Sequence, residues 1–335
     1  MNLGWKEMKR NKGRFLIVGS IVFLISFMTL MISGLANGLS KDNAGLIQAM
    51  PDGQFYLNED AKENYLLSTI DEGSEKGTAF SIQMGSLFDP NGKQQGVAFL
   101  TASPSAVFPA VQKGDVLLDR SLAKEGIQIG DSLTNNGLSG TLRVAGFVDD
   151  SKFSHAPVAF IHSADYEDMF QTNDRQILFS MNSAAEQLDG LQTFSKNEFL
   201  QTIESYKAEQ LSLTMIISFL VIISGLLFGI FFYMMNMQKI GLYGILKAMG
   251  VSSRTLLRMI WTQMAVVTGT ALLLSILASQ LFNQLVPQEV PFHLSAANTL
   301  WLSGVFFIIG FLGASLSGVQ IKKAEPLKAI QQGEN

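Results

Sequence analysis

Polar positions are spread so unevenly along the 335-residue chain that four stretches carry no Asp, Glu, Lys or Arg: Phe15 to Ser40, Leu211 to Gln238, Met259 to Gln288 and Val290 to Ile321. At about 1.5 Å per residue, each can cross roughly 30 Å of hydrocarbon as a helix. One central Lys or Asp opposes insertion by roughly 2.5–3.5 kcal/mol, against roughly 0.3–0.6 in favour from each Leu, Ile, Phe or Val. A single charge would thus cancel about six good residues, so charge-free runs of this length predict membrane spans. The last two trim to about Ile260–Phe282 and Thr299–Ile321, because the stretch from Asn283 to Asn298 holds two prolines and several polar residues and reads as an interfacial turn.

The region between the first two runs has a different rhythm. Phe55-YL, Gly96-VAFLT, Asp115-VLLD, Thr141-LRVAGFV and Pro157-VAFIH are short, rich in β-branched or aromatic residues and bounded by turn formers, which predicts strands. Asn135-NGLSG, between Asp131-SLT and Thr141, predicts a hairpin in which Asn and Gly supply positive φ. Asp119-RSLAKEG, Ser163-ADYEDMF and Glu198-FLQTIESYKAEQ read as helices, the last running into Leu211 without a breaker as a stalk. The expected organisation is an interfacial helix over 1–14 with Trp5 at headgroup level, spans over 15–39, 209–238, 259–283 and 299–321, a mixed α/β domain over 40–208, a loop over 239–258, an outer loop over 284–298 and a tail over 322–335. The fold class is therefore an α-helical membrane protein with four transmembrane helices and a mixed α/β extracytoplasmic domain.

Charge placement adds an orientation. The chain carries a net −4, yet Lys6, Lys9, Arg10, Lys12 and Arg14 precede the first run, Lys239, Lys247, Arg254 and Arg258 fill the loop after the second without one acid, and Lys322, Lys323 and Lys328 follow the fourth. The positive-inside rule puts these pieces, and both termini, on the cytoplasmic side of the membrane. Lys41 to Glu209 holds 24 acidic and 12 basic residues, a balance of −12, and belongs outside. The chain has no cysteine, and a domain of this size needs no disulfide. A cleavable signal peptide ending near Ser33-GLANG is the alternative for the first run, although that run is long for an h-region.

Several chemistries find no support. There is no Walker A pattern and no His-Glu-x-x-His; His155, His162 and His293 are scattered, and Gly137-LSG falls short of a nucleophile elbow. The spans hold no ionisable Asp, Glu, Lys or Arg of the kind ion-coupled transporters keep at membrane depth. The expectation is a chain without catalytic residues, metal site or permanently bound cofactor, which binds no nucleic acid, sits in membrane lipid and draws its energy from elsewhere. Small residues four apart, Gly34 and Gly38, Gly225 and Gly229, Gly310, Ala314 and Gly318, permit close helix contact, either within the chain or between copies.

The loop after the second run combines an apolar side (Ile240, Ile245, Leu246, Met249) with Gly241, Gly244 and Gly250, and its cations are expected to face water. Met237-QKIGLYGILKAMGVSSRTL resembles the signature that follows the second span of FtsX/MacB-type ABC transporter permeases. Asp115-VLLDRSLAKEGIQIGDSL, Val144-AGFVDD and Ala324-EPLKAI extend the likeness over nearly the whole chain. The resemblance implies a homodimeric, MacB-like permease partnered with a separate cytoplasmic ABC ATPase subunit that holds ATP and Mg. It also implies that this loop docks on the ATPase through Ile240, Gly241, Ile245, Leu246, Lys247 and Gly250.

Within that family, Phe27-MTLMISGLANGL, Ser205-YKAEQ and Phe231-FYMMNMQKI look most like haem-exporting permeases of Gram-positive bacteria. Haem iron accepts Met, Tyr or His. Met28 and Met31, in the outer half of the first span, and Tyr206 and Glu209, at the mouth of the second, are then candidates to line a haem site. Phe153 stands where those exporters carry a tyrosine, and a phenyl ring cannot ligate iron. Met in a membrane helix also serves as packing and Tyr at its boundary as a belt residue. The expected function is ATP-driven export of haem or a similar amphipathic toxic compound. The alternative is a mechanotransmission or sensing subunit that couples ATP hydrolysis to an extracytoplasmic peptide, lipoprotein or cell-wall partner.

Overall fold

The computed structural model describes residues 3–70, 77–149, 151–181, 188–287 and 290–323. The tail segment Ala324-EPLKAI and Asp150 of Val144-AGFVDD lie outside the described residues. The chain folds as two compact units, Met1–Gly38 with Ser212–Asn335, and Leu39–Leu211.

The first unit is helical: α1 (Leu3–Arg10), the greater part of α2 (Lys12–Ala49), most of α6 (Glu204–Met237), α7 (Ile240–Ala248), α8 (Ser253–Leu285) and α9 (Ala296–Lys323). Four of these, α2, α6, α8 and α9, have the length and apolar composition to cross a bilayer. Their shared core sets Phe15, Val18 and Val22 of α2 against Ile260, Met264 and Val267 of α8, Phe228 and Phe232 of α6, and Phe306 and Ala314 of α9. Outward faces remain apolar, with Leu226, Leu277 and Leu300 more than half exposed, as lipid-facing side chains must be. Ser26 and Ser275 share a 2.6 Å hydroxyl contact. Such pairs contribute only about 0.6 kcal/mol in lipid, so this one fixes rotation of α2 against α8 more than it stabilises the bundle.

The small residues Gly34 and Gly38 serve packing within the chain. A Cβ on Gly34 would come within 2.4 Å of the Phe292 ring, and one on Gly38 within 2.0 Å of the Pro291 carbonyl oxygen. His293 N–H donates to the Gly34 carbonyl at 2.9 Å. The turn after α8 is thus seated on α2, and that face is occupied.

The second unit is a ten-stranded mixed sheet with short helices. Its strands are β1 (Gln54–Asn58), β2 (Thr78–Phe88), β3 (Gln94–Ala102), β4 (Asp115–Asp119), β5 (Ser132–Thr134), β6 (Thr141–Val148), β7 (Lys152–Phe153), β8 (Ala156–Ile161), β9 (Ile177–Ser180) and β10 (Leu191–Ser195); its helices are α3 (Ser121–Lys124), α4 (Ser163–Phe170) and α5 (Lys196–Thr202). The order is β10-β1-β9-β2-β3-β8-β4-β6-β5, and β5 returns to β2 through the Phe88–Thr134 pair. Six strands therefore form a closed circuit around Leu87, Phe99, Val116, Leu133, Val144 and Ile161. The β3–β8 and β4–β6 pairs are parallel and the others antiparallel. A second core, on Phe55, Phe80, Phe160, Phe179 and Phe199, packs against Ala44 and Ile47 of the last turns of α2.

Two local expectations change. The β5–β6 hairpin forms, but none of Asn135, Asn136 and Gly137 takes positive φ. Asn135 instead accepts the Gly137 N–H through its side chain at 2.7 Å, and a Cβ on Gly137 would lie 2.7 Å from the Met169 carbonyl. The predicted stalk does not begin at Glu198. Helix α5 is closed by Ile203 (ψ 103°), and the unbroken helix α6 starts at Glu204.

Candidate functional site

Two groups of side chains stand out, one in each unit. The first surrounds α7. Its N-terminal neighbour Lys239 is 8% exposed and lies in ion-pair contact with Glu7 of α1. Lys239 therefore does not face water as expected. Lys239 Nζ also sits 5.5 Å from the Phe15 ring centroid, a cation–π distance. The other Glu7 oxygen accepts from Gln263 Nε2 of α8 at 2.8 Å. Nearby, the Tyr243 hydroxyl donates to Asn236 Oδ1 at 2.9 Å, and burial, with the Glu7 charge adding, raises the phenol above its ordinary pKa. The junction of α6 and α7 is thus tied to α1 and α8 by buried polar contacts between residues far apart in sequence.

The rest of α7 sorts by exposure. Ile240 and Leu246 pack inward on the helical core. Leu242, Ile245 and Met249 are 49%, 46% and 67% exposed, and at spacings of three and four they form one apolar stripe. Gly241 and Lys247 are half-buried, and Gly250 is exposed at φ +90°. That left-handed geometry, with Val251 N–H donating to the Leu246 carbonyl at 2.9 Å, closes the helix as a glycine cap does. Of the six residues predicted to dock, Ile245 and Gly250 stand outermost, and the stripe adds Leu242 and Met249.

The second group lies in the extracytoplasmic unit, within a few residues of the apolar runs of α2 and α6. Helix α2 kinks at Ala44 (φ −138°, ψ 22°), which frees carbonyls that an unbroken helix would engage. The β7–β8 turn fills them: Ser154 N–H donates to the Asn43 carbonyl at 2.7 Å and His155 N–H to that of Asp42 at 3.1 Å. Lys152 Nζ reaches Asp42 Oδ1 at 2.7 Å. Ser154 (φ 48°) and His155 (φ 63°) both occupy the left-handed region, as a tight hairpin requires, but neither is glycine. The cost is about 1–2 kcal/mol per residue, offset by the docked N–H groups.

This strained turn aims His155 at α6. His155 Nε2 is 2.7 Å from Glu209 Oε1, and Asn43 Nδ2 donates to Glu209 Oε2 at 3.2 Å. Asn43 Oδ1 accepts from Ser205 Oγ at 2.9 Å, which fixes the amide orientation. Since Asn43 Nδ2 also lies 3.2 Å from His155 Nε2, the consistent arrangement has Nε2–H donating to Glu209 and the amide donating to the other carboxylate oxygen. Asn43 is fully buried, while the side chains of His155 and Glu209 are 37% and 29% exposed, so the group opens to solvent on one side. Tyr206 is half-buried against the core, and its hydroxyl lies 3.5 Å from Ser40 Oγ, too far to be held firmly.

The predicted haem candidates divide accordingly. Glu209 falls in this cluster, while Tyr206 packs against the sheet core beside Ser40. Met28 (51% exposed) and Met31 (half-buried) lie in the helical unit on α2. Phe153 leaves the set: it is fully buried in the sheet core, edge-on to Tyr65 at 5.6 Å, and presents no face to a ligand. His155 and Asn43 enter it. The only hint in the sequence was the adjacency of His155 to Phe153, because the partners Asn43 and Glu209 are 112 and 54 positions away. No group of three or more His, Asp or Glu able to hold a metal ion occurs among the described residues.

Residues 214–326 match the family model described as FtsX-like permease C-terminal. Over its full length the chain is 30% identical to a protein of Staphylococcus epidermidis named as a hemin transport system permease protein HrtB, with all of both chains covered. A Staphylococcus haemolyticus protein of the same name is 29% identical, over 98% of this chain and 99% of its own length. Among solved structures, the periplasmic region of MacB from Actinobacillus actinomycetemcomitans is similar at 13% identity and a TM-score of 0.31, over 47% of this chain and 95% of that one.

Proposed function

We propose an export function from a plain premise: the chain belongs to the FtsX/MacB-type family of ABC transporter permeases and is HrtB-like. It is a transport subunit, and hydrolysis takes place on a separate cytoplasmic ATPase. Haem, or a flat amphipathic compound like it, is the cargo. Both termini and α7 lie on the cytoplasmic side, and two copies of the chain form the working permease.

The observation that carries the cargo assignment is the His155–Glu209–Asn43 cluster in a chain alike over its whole length to relatives named for hemin transport. Imidazole, phenol and thioether are all ligands that haem iron takes. His155 and Tyr206 supply the first two in the extracytoplasmic unit, and Met28 and Met31 are separate thioether candidates of the helical unit. Glu209, by accepting the His155 Nε2–H, orients the imidazole and holds it in place until cargo arrives. To bind iron through Nε2, His155 must give up Glu209, so cargo binding and opening of this cluster are one event.

The other end of the machine is the Leu242–Ile245–Met249 stripe, which takes the ATPase. Closure of the ATPase pair on nucleotide moves α7. The buried Glu7–Lys239–Gln263 contacts carry that movement into α1 and α8 as well as into α6.

The test uses the full permease with its ATPase in vesicles, titrated with hemin. A saturable shift of the haem absorption band, weakened at least tenfold by His155→Ala or Met28→Ala with Met31→Ala, together with hemin-stimulated ATP hydrolysis, supports the assignment. An unshifted spectrum, with hydrolysis stimulated by a cell-wall peptide instead, would replace haem export by a mechanotransmission role.

A further inference from the structure

The outer surface of the helical unit carries a cleft of about 690 Å³ between α1, α2 and α8. Its floor is made by residues too small to fill it, Gly19 and Ser20 on α2 and Ala271 and Ala278 on α8. Along α8 it runs from Val266 to Leu281, four turns or roughly 22 Å. Apart from the hydroxyls of Ser20 and Thr270 its lining is apolar except at one end, where Lys9, Lys12 and Trp5 form the mouth, all exposed, with no acidic side chain among the lining residues.

These dimensions select an occupant. An apolar groove roughly 22 Å long with a floor of small side chains has the length of an acyl chain and leaves room for one. Two lysines and an indole at one mouth match an anionic headgroup at the membrane surface, where Lys and Arg attract acidic lipids at about 1 kcal/mol each and Trp prefers the headgroup level.

We propose that this cleft is a binding site for an anionic phospholipid, with an acyl chain lying along α8 and the phosphate held by Lys9 and Lys12. The inference rests on the family reading for the side of the membrane, which makes this the cytoplasmic leaflet. It extends that reading by giving the lipid a task. Helix α1 presents Trp5 and Lys9 to the cleft while its Glu7 holds Lys239 beside α7. A lipid in the cleft clamps α1 from the opposite side, and its loss loosens the Glu7–Lys239 contact from which the coupling helix starts.

The test uses Trp5 as its own probe. With Trp261→Phe and Trp301→Phe, Trp5 is the remaining indole of the full chain. This protein is placed in vesicles of fixed phosphatidylglycerol and phosphatidylcholine composition, with bromine on the acyl chains of one lipid or the other. Quenching of Trp5 at equal content of brominated lipid is expected to be at least twofold stronger for phosphatidylglycerol. Lys9→Gln with Lys12→Gln should equalise the two. Filling the floor by Ser20→Leu with Ala278→Leu should reduce quenching by both, at unchanged helical circular dichroism. Equal quenching by both lipids in the parent protein overturns the proposal. So does a preference that survives the lysine substitutions, or a Ser20→Cys crosslink between copies in near-quantitative yield. Hemin export is read separately, so its failure leaves this result standing.

Discussion

His155 Nε2 lies 2.7 Å from Glu209 Oε1, joining a left-handed turn of the sheet to the first turns of the helix that begins at Glu204. The pair is half-open to solvent and is backed by the fully buried Asn43 amide. A histidine that must leave one partner to take another is a switch whose two positions can be read separately.

Glu209→Gln and His155→Ala should therefore behave as members of one unit. Each alone is expected to lower hemin-stimulated ATP hydrolysis several-fold, and the double variant should be little worse than either. The non-additive part, of order 0.5–3 kcal/mol, is measured from hemin titrations of all four proteins. Strict additivity would separate the two residues.

Removing one member of the buried Glu7–Lys239 pair should cost more than removing both. Lys239→Met leaves the Glu7 carboxylate without its cation, a loss of about 3–5 kcal/mol. Glu7→Gln combined with Lys239→Met should recover most of that stability in thermal denaturation. Coupling of hydrolysis to export should stay impaired, because the double variant no longer ties α1 to α7.

On α7, a charge placed outward should act differently from one placed inward. Ile245→Asp or Met249→Asp should leave the permease folded and inserted while abolishing ATPase co-purification. Leu246→Asp places the charge in the helical core and should lower expression of the permease itself. Gly250→Ala, at φ +90°, is expected to cost about 1–2 kcal/mol through the backbone alone.

The sheet unit carries an acid-sensitive cap. Backbone and side-chain hydrogen bonds from Ser195 hold the Glu198 carboxyl below its ordinary value of 4.5. A depressed folded-state pKa means that the stabilisation is complete above the unfolded value and is lost as pH falls through the folded one. Glu198→Gln should thus lower the melting temperature at neutral pH, with the difference shrinking below pH 4.5 until parent and variant coincide. A constant difference across that range would assign the effect to shape and not to charge.

Self-association can be mapped without background, since the chain has no cysteine. Helix α6 has the least covered apolar window of the four spanning helices, at 17% buried, with Leu226 and Ile230 exposed. Single cysteines at these positions should form disulfide-linked dimers in membranes, and one at Gly34, which is covered by Phe292, should not.

Much of this architecture is written in local patterns. Charge-free runs locate the four spanning helices, and strands such as Asp115–Asp119 and Thr141–Val148 fall where β-branched residues are bounded by turn formers. Thr78–Phe88 is legible only in part: Phe80, Ile82 and Met84 alternate with Ser81 and Gln83, but Gly85 and Ser86 then interrupt the pattern. Helix α5 ends at Ile203 with no Gly or Pro to announce it. The site is less legible for a different reason: its bonds join Glu7 to Lys239 and Asn43 to His155 across long stretches of chain. A cation in an isolated basic loop looks solvated until its carboxylate, arriving from the opposite terminus, is in place.

The ring closed by Phe88 and Thr134 has one more consequence. Each of its six strands has a neighbour on both sides, although β5 meets β2 through that single pair, so no strand of the ring ends the sheet. The free edge of the sheet is instead β10, at the far end of the path β10-β1-β9-β2, and strand-to-strand pairing with another molecule has to begin there.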